Sequence, residues 1–84
     1  MALSYDKLVK QQADGLEALL AWAGTPSRCA RLFGVSPSAV WAWQKDGRVS
    51  EGAARAASGV TGGAFCLEVL RPDVVERDVT NATD

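Results

Sequence analysis

"TPSRCARLFGVSPSAVWAWQKDG", residues 25–47, decides how this chain is read. It contains two short runs, each opened by a hydroxyl residue with proline behind it and each closed by glycine. Thr25 and Ser36 can accept from the free N–H groups of a first helical turn, and Pro26 and Pro37 give up a donor that would be orphaned there anyway. Gly34 and Gly47 supply the stops. The pattern predicts a helix from Pro26 to Phe33, a turn "GVS", and a second helix from Pro37 to about Asp46.

The second helix carries Trp41 and Trp43, two of the three tryptophans. Successive helical residues turn by about 100°, so the two rings point in nearly opposite directions. Val40 and Trp43 suit an inward anchor. Ala30 is small enough for a close helix crossing, Gly34 tolerates positive φ, and Cys29, Phe33 and Val35 fill the remaining inward positions. Two helices with these fillings follow the plan of a helix-turn-helix, in which the second helix enters the DNA major groove.

With Val40 and Trp43 inside, Ser38, Trp41, Ala42 and Lys45 fall at i, i+3, i+4 and i+7 and form the outer stripe. Ala42 allows close approach or meets a thymine methyl, Ser38 suits a base edge or a phosphate, and Lys45 suits guanine or a phosphate. Trp41 has two readings: an apolar wall against sugars or thymine methyls, or a contact with another protein segment or subunit. Ser27, Arg28 and Arg31 on the first helix, and Arg48 just past the second, are phosphate-gripping candidates or ordinary solvated cations.

Around this pair the chain predicts three more helices. "DGLEALLAWA" sets Leu16, Leu19, Leu20 and Ala23 on one stripe, and Gly24 ends it. Upstream, "SYDKLVKQQ" is an extra turn or two from a Ser4 cap, or a mobile arm, because Gly15 weakens continuity. "EGAARAASG" follows a Ser50 cap and ends at Gly59, and "AFCLEVL" gives a short last helix stopped by Pro72. "VVERDVTNATD" reads as a frayed tail or a short strand pairing across a dimer. "TGG" at 61–63 is a turn, too short for a nucleotide loop.

Composition limits the function. The 84 residues make one domain with little margin of stability, and the plentiful Ala and Gly favour closely packed helices. Absence of histidine removes Cys/His zinc sites and imidazole catalysis, and no nucleophile has a base beside it, so no enzyme is expected. Cys29 and Cys66 read as reduced, buried thiols rather than a metal or disulfide pair. No cofactor is implied. No signal-like or membrane-spanning run is present, which points to the cytoplasm. The net charge of -1 hides a segregation. Residues 26–58 carry five cations against Asp46 and Glu51, while residues 59–84 carry Arg71 and Arg77 against five acids. A basic middle matters more to a polyanion than the total does.

Through "CARLFGVSPSAVWAWQKDGRVS" and the trailing "TGG…LRPD", the chain resembles small phage and prophage regulators of the Cro/cI-type helix-turn-helix superfamily, in particular the YdaS-like branch. The resemblance covers roughly residues 14 to 74 and implies a compact four- to five-helix, lambda-repressor-like domain that binds operator DNA, often as a homodimer. It places inward residues at Ala30, Gly34, Val40 and Trp43, and DNA-facing ones at Ser36, Pro37, Ser38, Trp41, Ala42 and Lys45. Many relatives carry Gln, Asn or Ser where this chain has Pro37, Trp41 and Ala42.

The resulting expectation is an all-α chain with an extension at 1–13, a DNA-binding domain at 14–72 and a polar acidic tail at 73–84. Its function is that of a sequence-specific transcriptional regulator, a repressor of phage or prophage origin that binds double-stranded operator DNA as a homodimer paired through the C-terminal helix. Two alternatives stand beside it: an antitoxin-like protein that binds a toxin and DNA, and an interaction protein that blocks a host factor without DNA.

Overall fold

Helix α2 (Pro26–Phe33) and helix α3 (Pro37–Asp46) form from local chemistry. Thr25 Oγ1 accepts from Arg28 N at 3.1 Å and Ser36 Oγ from Ala39 N at 3.3 Å. Gly34 and Gly47 adopt left-handed backbone at φ 67° and 77°. Each closes its helix with a pair of returning N–H groups: Gly34 to Arg31 O with Val35 to Ala30 O, and Gly47 with Arg48 both to Trp43 O. An L side chain at either glycine would meet the steric cost of that region.

The computed structural model describes residues 5–82 and is all-helical over them, with α2 and α3 preceded by α1 (Tyr5–Ala23) and followed by α4 (Glu51–Val60), α5 (Leu67–Leu70) and α6 (Pro72–Ala82). Leu16, Leu19 and Ala23 of α1, Cys29 and Ala30 of α2, Val40 and Trp43 of α3, and the alanine face of α4 meet in one core around Val49. Leu70 of α5 belongs to the same core, and Val74 of α6 is likewise fully buried. The small residues on α2 and α4 let the helices approach closely. Trp43 is the largest side chain of this core and packs edge-on against Phe33, with centroids 5.8 Å apart.

Of the two readings of the segment before Asp14, the helical extension is the one found, since α1 runs unbroken from Tyr5 through Gly15; two other expectations change. A Cβ at Gly15 would sit 2.7 Å from the Val69 carbonyl oxygen, so this glycine is where α1 crosses the α5 backbone. The proposed Ser4 cap lies outside the described residues. The short helix does end before Pro72, at Leu70, but it is not the last: Pro72 also opens α6, and residues 72–82 are helical where a frayed tail or strand was expected. Val74 is buried against the core, Arg77 pairs with Glu51 at 3.0 Å and Asp78 with Arg55 at 2.9 Å. The helices therefore number six among the described residues, and α4 continues one residue past Gly59.

Thr61 ties the end of α4 to the turn before α5. Its hydroxyl donates to Ala57 O at 2.7 Å and accepts from Phe65 N at 2.9 Å, while Gly62 and Gly63 carry the chain round at positive φ. Cys29 is buried and Cys66 half-buried, and both are free thiols. Burial pushes the Cys29 thiol pKa up, which keeps it protonated and unreactive. No helix among the described residues is long and apolar enough to cross a membrane.

Candidate nucleic-acid interface

The two tryptophans of α3 part as their spacing requires. Trp43 is 4% exposed and Trp41 69%, while Val40 is fully buried. Ser38, Ala42 and Lys45 are exposed with Trp41, so the predicted outer stripe forms one continuous surface along α3. Trp41 has no ring partner among the described residues; the ring pairs there are Trp22–Phe65 and Phe33–Trp43. Gln44 is also exposed, on Trp41's flank of the helix. The sequence reading passed over it because it lies roughly 60° beyond Trp41 and outside the four-residue stripe.

Ser36 and Pro37 are exposed at the N-terminal end of α3, but the Ser36 hydroxyl is engaged as the cap. Ser27, Arg28 and Arg31 are exposed on α2. Among the described residues Arg28, Arg31 and Lys45 make no ion pair, which leaves three cations available to an anionic partner. Arg55, counted with the basic middle of the chain, is committed elsewhere: it pairs with Glu51 at 3.2 Å and Asp78 at 2.9 Å. The acidic C-terminal stretch thus neutralises α4 rather than the α2–α3 surface.

Arg48 occupies an intermediate position. Its side chain is half exposed and lies 3.9 Å from Asp73, a separation at which an exposed pair contributes little. Asp73 is held far more firmly by Arg71, whose Nε and Nη2 both donate to its carboxylate at 2.9 Å. Arg71 is buried, and its Nη1 donates to the Val49 carbonyl at 3.1 Å. The Arg71 guanidinium holds the Asp73 carboxyl below its ordinary pKa, and the carboxylate in turn raises that of Arg71. Arg71 thereby bolts the α5–α6 junction to Val49, three residues past α3, and leaves Arg48 as the net positive charge of the trio. No local sequence signal announces this role. Its acceptor, Val49, lies 22 residues away, and only an arginine followed by "PD" hints at the carboxylate clamp.

The surface of α3 is uneven. On the flank away from Trp41 a hollow of about 420 Å³ is floored by Ala39 and Ala42 and bordered by Asp46, Arg48, Glu51 and Arg71. On the other flank stand Pro37, Trp41 and Gln44, all uncharged. The acids of this region therefore sit on one side of the helix, and the apolar ridge is on the other.

Trp22 is half out: 44% exposed, with its ring edge-on to Phe65 at 6.0 Å. Val69 on α5 is exposed to the same degree, whereas Leu70 is fully buried. Comparison of the chain with protein-family models, with curated proteins and with solved structures returns no match.

Proposed function

We propose that the chain is a sequence-specific DNA-binding transcriptional regulator, a repressor of the phage or prophage type its sequence resembles, and that α3 is its reading helix. The observation that carries the reading is the division of α3 into a core face of Val40 and Trp43 and an uninterrupted exposed face of Ser38, Trp41, Ala42 and Lys45. The unpaired cations Arg28, Arg31 and Lys45 support it, since phosphate contacts supply most of the affinity of a DNA-binding domain. Arg48 joins them as a backbone contact, and Ser27, Ser36 and Pro37 line the helix ends where free N–H groups favour anions.

Ten residues of α3 extend over about 15 Å, which covers four or five base pairs. One copy alone reads too little sequence for a specific site, so the reading includes a homodimer on half-sites about one helical turn apart. The half-exposed Trp22 and Val69 are candidates for the dimer contact.

The test is a mobility-shift competition between duplex DNA from upstream of the protein's own gene and random duplex. Preference for the first is expected; equal affinity for both contradicts the reading. A second reading draws on the 69% exposure of Trp41, because large exposed aromatics also mark protein interfaces. In it the protein binds a toxin or a host factor through α3, with or without DNA.

A further inference from the structure

We infer that α3 recognises pyrimidine 5-methyl groups in the major groove, those of thymine first, with Trp41 and Ala42 as the contacting residues. The inference rests on the DNA-binding reading above and specifies what that surface reads.

The exposed stripe of α3 sets its approach. Asp46 and Glu51 border the hollow over Ala39 and Ala42 together with Arg48 and Arg71, and Glu51 is paired with Arg55 and Arg77, so the charges on that flank balance. The flank with Pro37, Trp41 and Gln44 carries no acid. A polyanion meets α3 along its exposed stripe of Ser38, Trp41, Ala42 and Lys45, where Lys45 is unpaired and the indole is the largest group.

Chemistry then selects the base. An indole offers one N–H donor and no acceptor. Laid on the edge of a G·C pair, it displaces water from donors and acceptors that it cannot satisfy. The one apolar group exposed in the major groove is the thymine C5-methyl. Against that methyl, the indole buries apolar surface on both partners, and Trp41 has surface to bury because no ring covers it among the described residues. Ala42, at the other edge of the exposed stripe, presents its own methyl and keeps the backbone close. Gln44, beside Trp41 on the side away from Ala42, carries an amide of the kind that pairs bidentately with adenine, so a thymine·adenine pair suits the Trp41 flank better than a methylated cytosine·guanine pair.

The test uses deoxyuridine, which differs from thymidine only by that methyl. A duplex enriched from a randomised pool is titrated by fluorescence anisotropy with wild type and Trp41→Ala, replacing one thymine at a time. Low salt keeps the alanine variant bound through its phosphate contacts. Trp41 is mostly in solvent, so the variant is expected to fold, which far-UV circular dichroism checks. Wild type is expected to lose about threefold to fivefold in affinity per contacted methyl, and Trp41→Ala to bind the thymine and uracil duplexes alike. An enriched duplex that binds equally with thymine or uracil at every position overturns the inference while the DNA-binding reading stands. So does a methyl effect of undiminished size in Trp41→Ala. Failure to enrich any sequence overturns both.

Discussion

At the scale of single residues, Trp41 and Trp43 show how position on a helix assigns opposite roles to one side chain. Trp43 fills the core against Phe33, and Trp43→Ala is expected to cost about 3–5 kcal/mol. That is a large share of the stability of a domain this small, so the variant should melt far below wild type or fail to fold. Trp41→Ala should shift stability by no more than about 0.5 kcal/mol, since its ring is mostly in solvent. Parallel thermal melts of the two variants check both statements. Gly15 gives a third case. Alanine there gains helix propensity of about 1 kcal/mol but places a methyl 2.7 Å from the Val69 carbonyl, where overpacking costs about 1–3 kcal/mol. A lowered melting temperature is expected for Gly15→Ala; an unchanged or raised one would show that α1 and α5 can separate freely.

Among the elements, α2 and α3 were legible in the sequence because their starts and stops are local. Thr25 with Pro26, Ser36 with Pro37, and the glycines at 34 and 47 fix both helices from residues within a few positions. Helix α6 was not legible, because its order depends on partners far away in the chain. Val74 finds the core, and Arg77 and Asp78 find Glu51 and Arg55, more than twenty residues back. Read alone, "VVERDVTNATD" has too narrow an apolar face to declare a helix. Arg71 follows the same logic, since its value lies in the Val49 carbonyl and in Asp73 together. Arg71→Met leaves both without their donor and is expected to cost about 1–3 kcal/mol in chemical unfolding.

The same clamp gives a pH dependence. Because the folded-state pKa of Asp73 is depressed, its contribution is fully present above the ordinary carboxylate value of about 4 and is lost as pH falls through the lower folded value. Glu51, lowered chiefly by Arg77, and Asp78, lowered chiefly by Arg55, act in the same direction. The melting temperature should therefore decline on acidification below about pH 4, and Asp73→Asn should show a shallower decline from a lower starting point. A wild-type melting curve that does not change between pH 5 and pH 2 would contradict this.

For the whole molecule, the folded charge distribution differs from the linear one. The sequence suggests a basic middle and an acidic end, and the structure brings part of that end back onto α4, where Glu51, Arg55, Arg77 and Asp78 neutralise one another. What remains unpaired on the α2–α3 surface is a short set of cations around an apolar ridge. The candidate interface was legible to the extent that helical periodicity dictates it, as with Ser38, Trp41, Ala42 and Lys45. The neutralisation of Asp73 by Arg71 beside Arg48 and the removal of Arg55 from the basic face depend on tertiary pairing, which spacing does not reveal.

The central claim is that α3 faces DNA with Trp41 and Lys45 at the contact. Its most direct test is the salt dependence of binding, measured by fluorescence anisotropy on a labelled duplex from upstream of the gene, for wild type, Lys45→Ala and Trp41→Ala. Lys45→Ala is expected to weaken binding to all sequences and to reduce the slope of log K against log salt by about one, as for the loss of one phosphate contact. Trp41→Ala is expected to lose discrimination between that duplex and random DNA while keeping the wild-type slope. Wild type that prefers no duplex, together with two variants indistinguishable from it, would contradict the claim and assign the exposed face of α3 to a protein partner.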